Sequence, residues 1–325
     1  MPVTPARQPG GAPARPVALF VLGVPRSGTS ALTRMLSLCG AALPPGLAGA
    51  NSSNPLGYWE PRASHRINIG ILRRHGSEWF DPTLRLQEDG GFDIDEKAAT
   101  IAEIMAFLAK LPAAPLVVIK DLHITALSGM WFEAASLAGF DVAAVITVRH
   151  PQEVAASLAE FNGTSPELAS ALWLKANLLA ERNTRTLPRV FVEYTNLLDD
   201  WRREAKRISA ALPIDLNTEN ERAIEEFLKP DLHRQRQSGP VSVPFGTGWI
   251  STVYDALCAA ARDESWDQSV LDRVFEEYRE NEYGFRAALQ DFGRLRKYNW
   301  LIRPSAVSLV YEVLARAHRR RGPWA

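Results

Sequence analysis

The residues best placed to do chemistry are Pro25–Arg26–Ser27–Gly28–Thr29–Ser30. They follow an apolar run, VALFVLG at 17–23, and precede Leu32, Met35, Leu36 and Cys39, which recur at helical spacing. From Gly23 to Ser30 the text G-V-P-R-S-G-T-S has the length of G-x-x-x-x-G-K-[ST]. In such a loop, successive backbone N–H groups and a helix N-terminus cradle a phosphate. Thr29 stands where that pattern has lysine, and the cation is Arg26, three residues earlier. The loop is therefore expected to hold an anion, but not the γ-phosphate of ATP with Mg²⁺. An ordinary strand–turn–helix joint is the plainer alternative. Length, glycines and cation together favour the anion site.

The remaining candidates stand where apolar runs stop. PLVVI at 115–119 ends at Lys120, Asp121 and His123; VAAVITV at 142–148 ends at Arg149, His150 and Pro151; the short run 190–192 ends at Glu193 and Tyr194. In an open α/β sheet, ligands bind beyond the carboxyl ends of the strands. Three cations, Arg26, Lys120 and Arg149, would then meet on one edge of a chain whose basic and acidic residues balance at 37 each. Such focusing calls for a polyanionic ligand, and Tyr194 could offer a stacking face for a base. Glu60 follows Tyr58-Trp59, apolar neighbours that would raise a carboxyl pKa towards that of a general base. It could equally cap the helix starting at Arg62 or pair with an arginine. His123 and His65 are the other candidate bases, although a lone histidine is more often structural. Asp121 reads as a cap or a partner for Lys120.

Strands and helices must alternate to place these groups. Continuous apolar strands at 17–23, 115–119, 142–148 and 190–192 predict an α/β fold with a central parallel sheet covered by helices on both faces. Helices are expected over 62–75, 96–111, 127–137, from Pro151 onward and 166–186. One more runs over 196–212 with Asn196 as N-cap, and Gly40 closes the first as its C′ residue. Residues 81–95 read as a polar surface loop, and 239–248 as another. Long helices are expected over 266–289 and 304–321, the latter ending in His318-Arg319-Arg320-Arg321.

The loop VPRSGTS resembles the 5′-phosphosulfate loop of the sulfotransferases that use 3′-phosphoadenosine 5′-phosphosulfate (PAPS). Arg149, with Ser157 eight residues later on the following helix, is similar to their 3′-phosphate site. Glu193-Tyr194 followed by Leu197-Leu198 resembles their fourth-strand segment. Asn54–Glu60 and Val118–Asp121 resemble segments of bacterial and protein-tyrosine sulfotransferases. The resemblance covers about residues 17–236 and implies a P-loop-like sulfotransferase architecture with a helical C-terminal part. It implies PAPS as co-substrate, held by Arg26, Ser27, Gly28, Thr29, Ser30, Arg149, Ser157 and Tyr194. Arg26, Lys120, Glu60 and His123 would carry the chemistry, and no metal would be needed. The chain departs from the family in reading Lys120-Asp-Leu-His123, a gap of three where the cytosolic enzymes have two. It also lacks their glycine-rich C-terminal motif, for which Arg234 or Arg236 would have to substitute.

Other features narrow the function. Two cysteines in 325 residues form no disulfide framework, in keeping with a reducing, cytoplasmic compartment. No apolar run nears the roughly 20 residues that span a bilayer, and there is no basic footprint for nucleic acid. Residues 1–16 are expected as a disordered tail, 17–295 as the catalytic domain and 296–325 as a C-terminal helix whose basic end could touch a membrane surface. The acceptor would be a small molecule, a carbohydrate, a glycolipid or a lipid-like alcohol. Two other classes compete: a P-loop kinase or NTPase with Asp121 on Mg²⁺, and a non-enzymatic nucleotide- or lipid-surface module.

Overall fold

The computed structural model describes residues 15–50, 54–88, 90–212, 214–229, 248–282 and 286. The apolar runs form four parallel strands, β1 (Val17–Leu22), β2 (Leu116–Ile119), β3 (Asp141–Val148) and β4 (Arg189–Glu193), in the order β2-β1-β3-β4. Val17 registers with Leu116 on one side and Asp141 on the other, and Val148 with Glu193. The strand ends that carry the candidate residues therefore lie along one edge of the sheet.

Side chains alternate between the two faces of each strand. Leu19, Val21, Val118, Val145 and Val192 pack into one core with α1 (Thr29–Leu38) and α8 (Trp201–Ala211), joined by Ile224 of α9 (Glu221–Phe227). On the other face Phe20 meets Trp131 and Phe132 of α4 (Ile124–Leu137) edge-on, with ring centroids 6.3 and 5.2 Å apart. Between α1 and α4 in the chain come α2 (Arg62–Arg74) and α3 (Ile94–Leu108). After β3 come α5 (Pro151–Asn162) and α6 (Pro166–Asn183), which begin with proline at the first turn, where a missing N–H costs nothing.

Several local expectations need correction. Residues 81–95 are not a free surface loop. Leu84 and Leu86 are buried there, and Asp81 ties the segment by accepting from Ser77, Thr83 and Arg85. The helix expected at 196–212 is two helices, α7 (Tyr194–Asp199) and α8. Asn196 caps neither; Asp200 caps the second, accepting from the Arg203 N–H. The sequence reading had no helix at α9 or at α10 (Trp249–Ala261), which lies against β4. Gly40 does close α1, at φ 98°, with Ala41 N–H reaching back to Leu36 O.

The chain divides into two compact units, Met1–Glu276 and Glu277–Ala325. The second is helical at its described residues 277–282 and 286. Of the tail expected over 1–16, residues 1–14 lie outside the described residues, as do 239–247 of the loop expected over 239–248, the helix at 304–321 and the boundary at 295/296; Arg15 itself donates to Ser136 O, Gly139 O and Phe140 O. Among the described residues no helix is long and apolar enough to cross a membrane.

The turn after β1 leaves no room for a side chain at its first residue. A Cβ on Gly23, at φ 145°, would sit 2.3 Å from Thr147 Oγ1. Gly23→Ala should therefore lose stability by at least about 1–3 kcal/mol, the usual scale of backbone strain at such a site. Chemical denaturation with matched m-values measures the loss.

Candidate active site

Arg26 has φ 73°, a left-handed conformation that costs a non-glycine residue energy and that clusters at functional sites. Gly28 follows at φ 95° and stands just before α1, whose first turn has neither an acidic residue nor a capping side chain. Its leading N–H groups have no acceptor within the helix, and Gly28, Thr29, Ser30 and Ala31 line a cavity of about 770 Å³. The cradle thus presents N–H donors to the cavity with no anionic side chain of its own.

Ser27 does not join it. Its hydroxyl is fully buried, donates to Val24 O at 2.7 Å and pairs with Thr147 Oγ1 at 2.6 Å. Ser27 braces the loop against β3 instead of offering a hydroxyl to the phosphate. Thr125 does the same from the other side, accepting from Gly23 N–H at 3.1 Å and donating to Gly23 O at 3.2 Å. Neither threonine was a sequence candidate, though Thr147 is the lone polar residue inside the apolar run of β3.

Arg26 also points elsewhere than expected. Its Nε donates to Ser157 Oγ at 3.0 Å, and its guanidinium lies 5.6 Å from the Phe161 ring centre. Arg149 Nη1 donates to Arg26 O at 2.8 Å. So Arg26 joins Arg149 and Ser157, more than 120 residues further along the chain, in one cluster. Burial lowers the Arg26 pKa, though it stays charged in ordinary buffers. Arg149 is itself held by Glu153 on the first turn of α5, Nε to Oε2 at 2.8 Å. Its guanidinium covers the Tyr194 ring at 4.7 Å, and the edge of that ring blocks any Cβ on Gly28 at 2.2 Å. Tyr194 is a buried platform under Arg149, with that face taken.

On the opposite side of the loop, Lys120 is 5% exposed and Glu60 4%. The Lys120 ammonium donates to Glu60 Oε1 at 2.5 Å, Ser30 Oγ at 3.2 Å and Tyr58 O at 3.3 Å. Glu60 neither caps α2 nor stands alone. It is pinned by Ala48 N–H donating to its carbonyl at 2.7 Å and by Trp59 at φ 57° before it. Trp59 packs against Arg34 and Phe227.

Of the two roles expected of Asp121, a cap or a partner for Lys120, the pairing with Lys120 is not formed. Its Oδ1 accepts from His123 N–H at 2.9 Å, His123 Nδ1 at 2.8 Å and Asn68 Nδ2 at 3.0 Å; its Oδ2 accepts from Ser64 at 3.3 Å. His65 Nδ1 is 3.6 Å from Oδ2, an ion-pair distance, and its ring centre is 5.0 Å from that of His123. Burial alone would raise the Asp121 pKa. The hydrogen bonds from His123 and the nearby His65 ring outweigh it and hold the carboxylate well below the usual range. The interaction with Asp121 raises the His65 pKa against burial. The types His65, Asp121 and His123 could hold a metal, with ligand atoms within 4.8 Å of one another. Three donors already occupy Oδ1, which leaves that oxygen poorly suited to a cation. Asn68 and Ser64 escaped the sequence reading. Their signal was polar residues on the apolar face of α2, which buries Ser64, Ile67, Asn68, Ile71 and Leu72.

The cavity is lined by Arg26, Lys120, Arg149, Ser157, Tyr194 and His123, and also by Glu60 and His65. Its remaining wall includes Leu56, Tyr58, Ile69 and Trp79. Arg234 and Arg236 lie outside the described residues. The two cysteines are buried thiols; burial pushes Cys39 up to about 11 and Cys258 up to about 12, so neither is a nucleophile near neutral pH.

No known family pattern matches the chain, and no curated protein does. Among solved structures the chain is similar to a sulfotransferase domain from the Synechococcus PCC 7002 olefin synthase, at TM-score 0.40 and 19% identity over 84% of this chain and 98% of that one. It is similar also to the mouse sulfotransferase SULT7A1 complexed with PAP, at TM-score 0.35 and 16% identity over 90% of each chain.

Two outcomes follow from these charges. Lys120→Met leaves the Glu60 carboxylate buried alone and should cost about 3–5 kcal/mol, whereas Glu60→Gln/Lys120→Met together should recover most of it; a denaturant double-mutant cycle reads both. His65 has a raised folded pKa, so its contribution is fully present below its unfolded pKa of about 6.5 and fades as pH rises through the folded value. The stability gap between wild type and His65→Phe should therefore narrow as pH rises above about 6.5.

Proposed function

We propose that this protein transfers a sulfuryl group from PAPS to an acceptor hydroxyl. One observation carries the reading: two separate groups of donors suited to anions face a single cavity. One is the bare N-terminus of α1; the other is the Arg26–Arg149–Ser157 cluster. A nucleotide with phosphate groups on both its 5′ and 3′ positions is the ligand that such a pair suits. A volume of about 770 Å³ has room for it beside an acceptor.

In this reading the α1 amides of Thr29 and Ser30 hold the 5′-phosphosulfate, while the Ser30 hydroxyl donates to Tyr58 O at 3.2 Å. Arg149, Ser157 and Arg26 hold the 3′-phosphate, with Tyr194 beneath Arg149. Lys120, at Ser30, meets the negative charge that grows on the leaving phosphate oxygen. Glu60 is a candidate base from sequence, but its carboxylate is taken up by the Lys120 ammonium. Its part becomes holding Lys120 in place, and His123 takes the proton. The acceptor enters between Leu56, Tyr58, Ile69 and Trp79, a wall mixed enough for a hydroxyl on a carbohydrate, a glycolipid or a lipid-like alcohol. The buried free thiols fit a cytoplasmic setting. A Mg–ATP kinase is the weaker reading, because Asp121 Oδ1 is taken by three donors and Thr29 replaces the phosphate-binding lysine.

Calorimetric titration with adenosine 3′,5′-bisphosphate decides between them. Binding should not require Mg²⁺ and should weaken about 10–100-fold in Arg149→Ala, the loss expected for a charge-assisted hydrogen bond. Mg²⁺-dependent ATP binding with no binding of the bisphosphate would overturn the proposal.

A further inference from the structure

The reaction above needs a base whose free nitrogen faces the substrate, and the surroundings of His123 specify which nitrogen that is. We propose that Asp121 is a positioning residue for the proton acceptor: it holds His123 with its proton on Nδ1, leaving the Nε2 lone pair to the acceptor hydroxyl. The inference rests on the sulfuryl-transfer reading and adds to it a residue whose role is to set the tautomer.

Each donor in the chain that leads to His123 has only one allowed direction. Trp131 Nε1 can only donate, and it donates to Asn68 Oδ1 at 2.8 Å. This fixes the Asn68 amide so that its Nδ2 must be the group facing Asp121, 3.0 Å from Oδ1. The His123 backbone N–H donates to the same oxygen at 2.9 Å. The carboxylate is 2% exposed, cannot turn away and is held ionised. An ionised oxygen only accepts, so His123 Nδ1, 2.8 Å away, must be the donor. The partner of one ring nitrogen decides where the proton of a neutral imidazole sits. Here it selects Nδ1–H, against the Nε2–H form that histidine favours in water.

The step then balances. The acceptor hydroxyl proton goes to His123 Nε2 while its oxygen forms a bond to sulfur. The bond from sulfur to the bridging phosphate oxygen breaks, and its electron pair stays on the phosphate of the departing bisphosphate. Asp121 stabilises the imidazolium without itself taking the proton. Other charged groups near this ring are Lys120 at the end of β2, the Glu60 paired to it, and His65 on α2. Glu78, Asp81 and Lys175 share with it a side cavity of about 40 Å³.

The test combines a variant with a spectrum. In Asp121→Asn, titration with adenosine 3′,5′-bisphosphate should give unchanged affinity. Turnover of labelled PAPS with n-octanol as acceptor should fall about 10²–10⁴-fold in kcat with little change in KM. Adding His123→Gln should cost little more, because the two residues act as a unit. Independently, ¹⁵N-labelled histidine in the wild type, assigned with His123→Gln, should show His123 as the Nδ1–H tautomer at neutral pH. An Nε2–H tautomer in the wild type overturns the proposal even where no acceptor is turned over or the variant does not fold. An Asp121→Asn enzyme with wild-type kcat overturns it as well. Failure of the wild type to bind the bisphosphate sinks the sulfuryl-transfer reading instead, and the tautomer result is read separately from that failure.

Discussion

The site depends on a shortage of space at the two glycines of the β1–α1 loop. Gly23 faces Thr147 and Gly28 faces Tyr194, each so closely that even a methyl group would overlap. This contact brings the loop down onto β3 and the start of α7. It lets Ser27 reach Thr147, and it starts α1 where its first amides open into the cavity. The left-handed turn at Arg26 follows from the same descent, because the chain must reverse between two crowded points. That turn carries the arginine towards Ser157. Crowding at two atoms thus sets the direction of a cation and the exposure of a helix end.

Charge at the site is strong locally and small in sum. Lys120 is answered by Glu60, Arg149 by Glu153, and Asp121 by a shell of donors. Pairs as buried as these add little net stability, since desolvation offsets much of their attraction. Their value here is orientation. Each pairing uses up some donors of a side chain and leaves the others aimed. Arg149 spends its Nε on Glu153 and one Nη on the loop, and a guanidinium has further donors to offer.

Much of this was legible in the sequence. The four strands were visible as unbroken apolar runs because a parallel sheet covered on both faces buries both sides of every strand. The edge assembling Arg26, Lys120, Arg149 and Tyr194 followed from where those runs stop. The direction of side chains was not legible. Nothing in the letters P-R-S-G-T-S tells that arginine takes a positive φ, or that Ser27 turns inward while Ser30 faces the cavity. The partner of Glu60 comes from β2, 60 residues away, and was invisible to any local pattern. Asn196 looked like a cap because it precedes an apolar pair. Asp200 held that place, since the chain breaks between α7 and α8.

The two cysteines have a practical consequence. The chain contains only Cys39 and Cys258, both buried and both poor thiolates at neutral pH. The natural protein therefore serves as its own low-background host for site-directed labelling. A single cysteine placed at an exposed rim position such as Leu56 or Phe161 would outcompete both native thiols for a maleimide dye. The cavity mouth could then be followed by fluorescence without first stripping sulfur from the core.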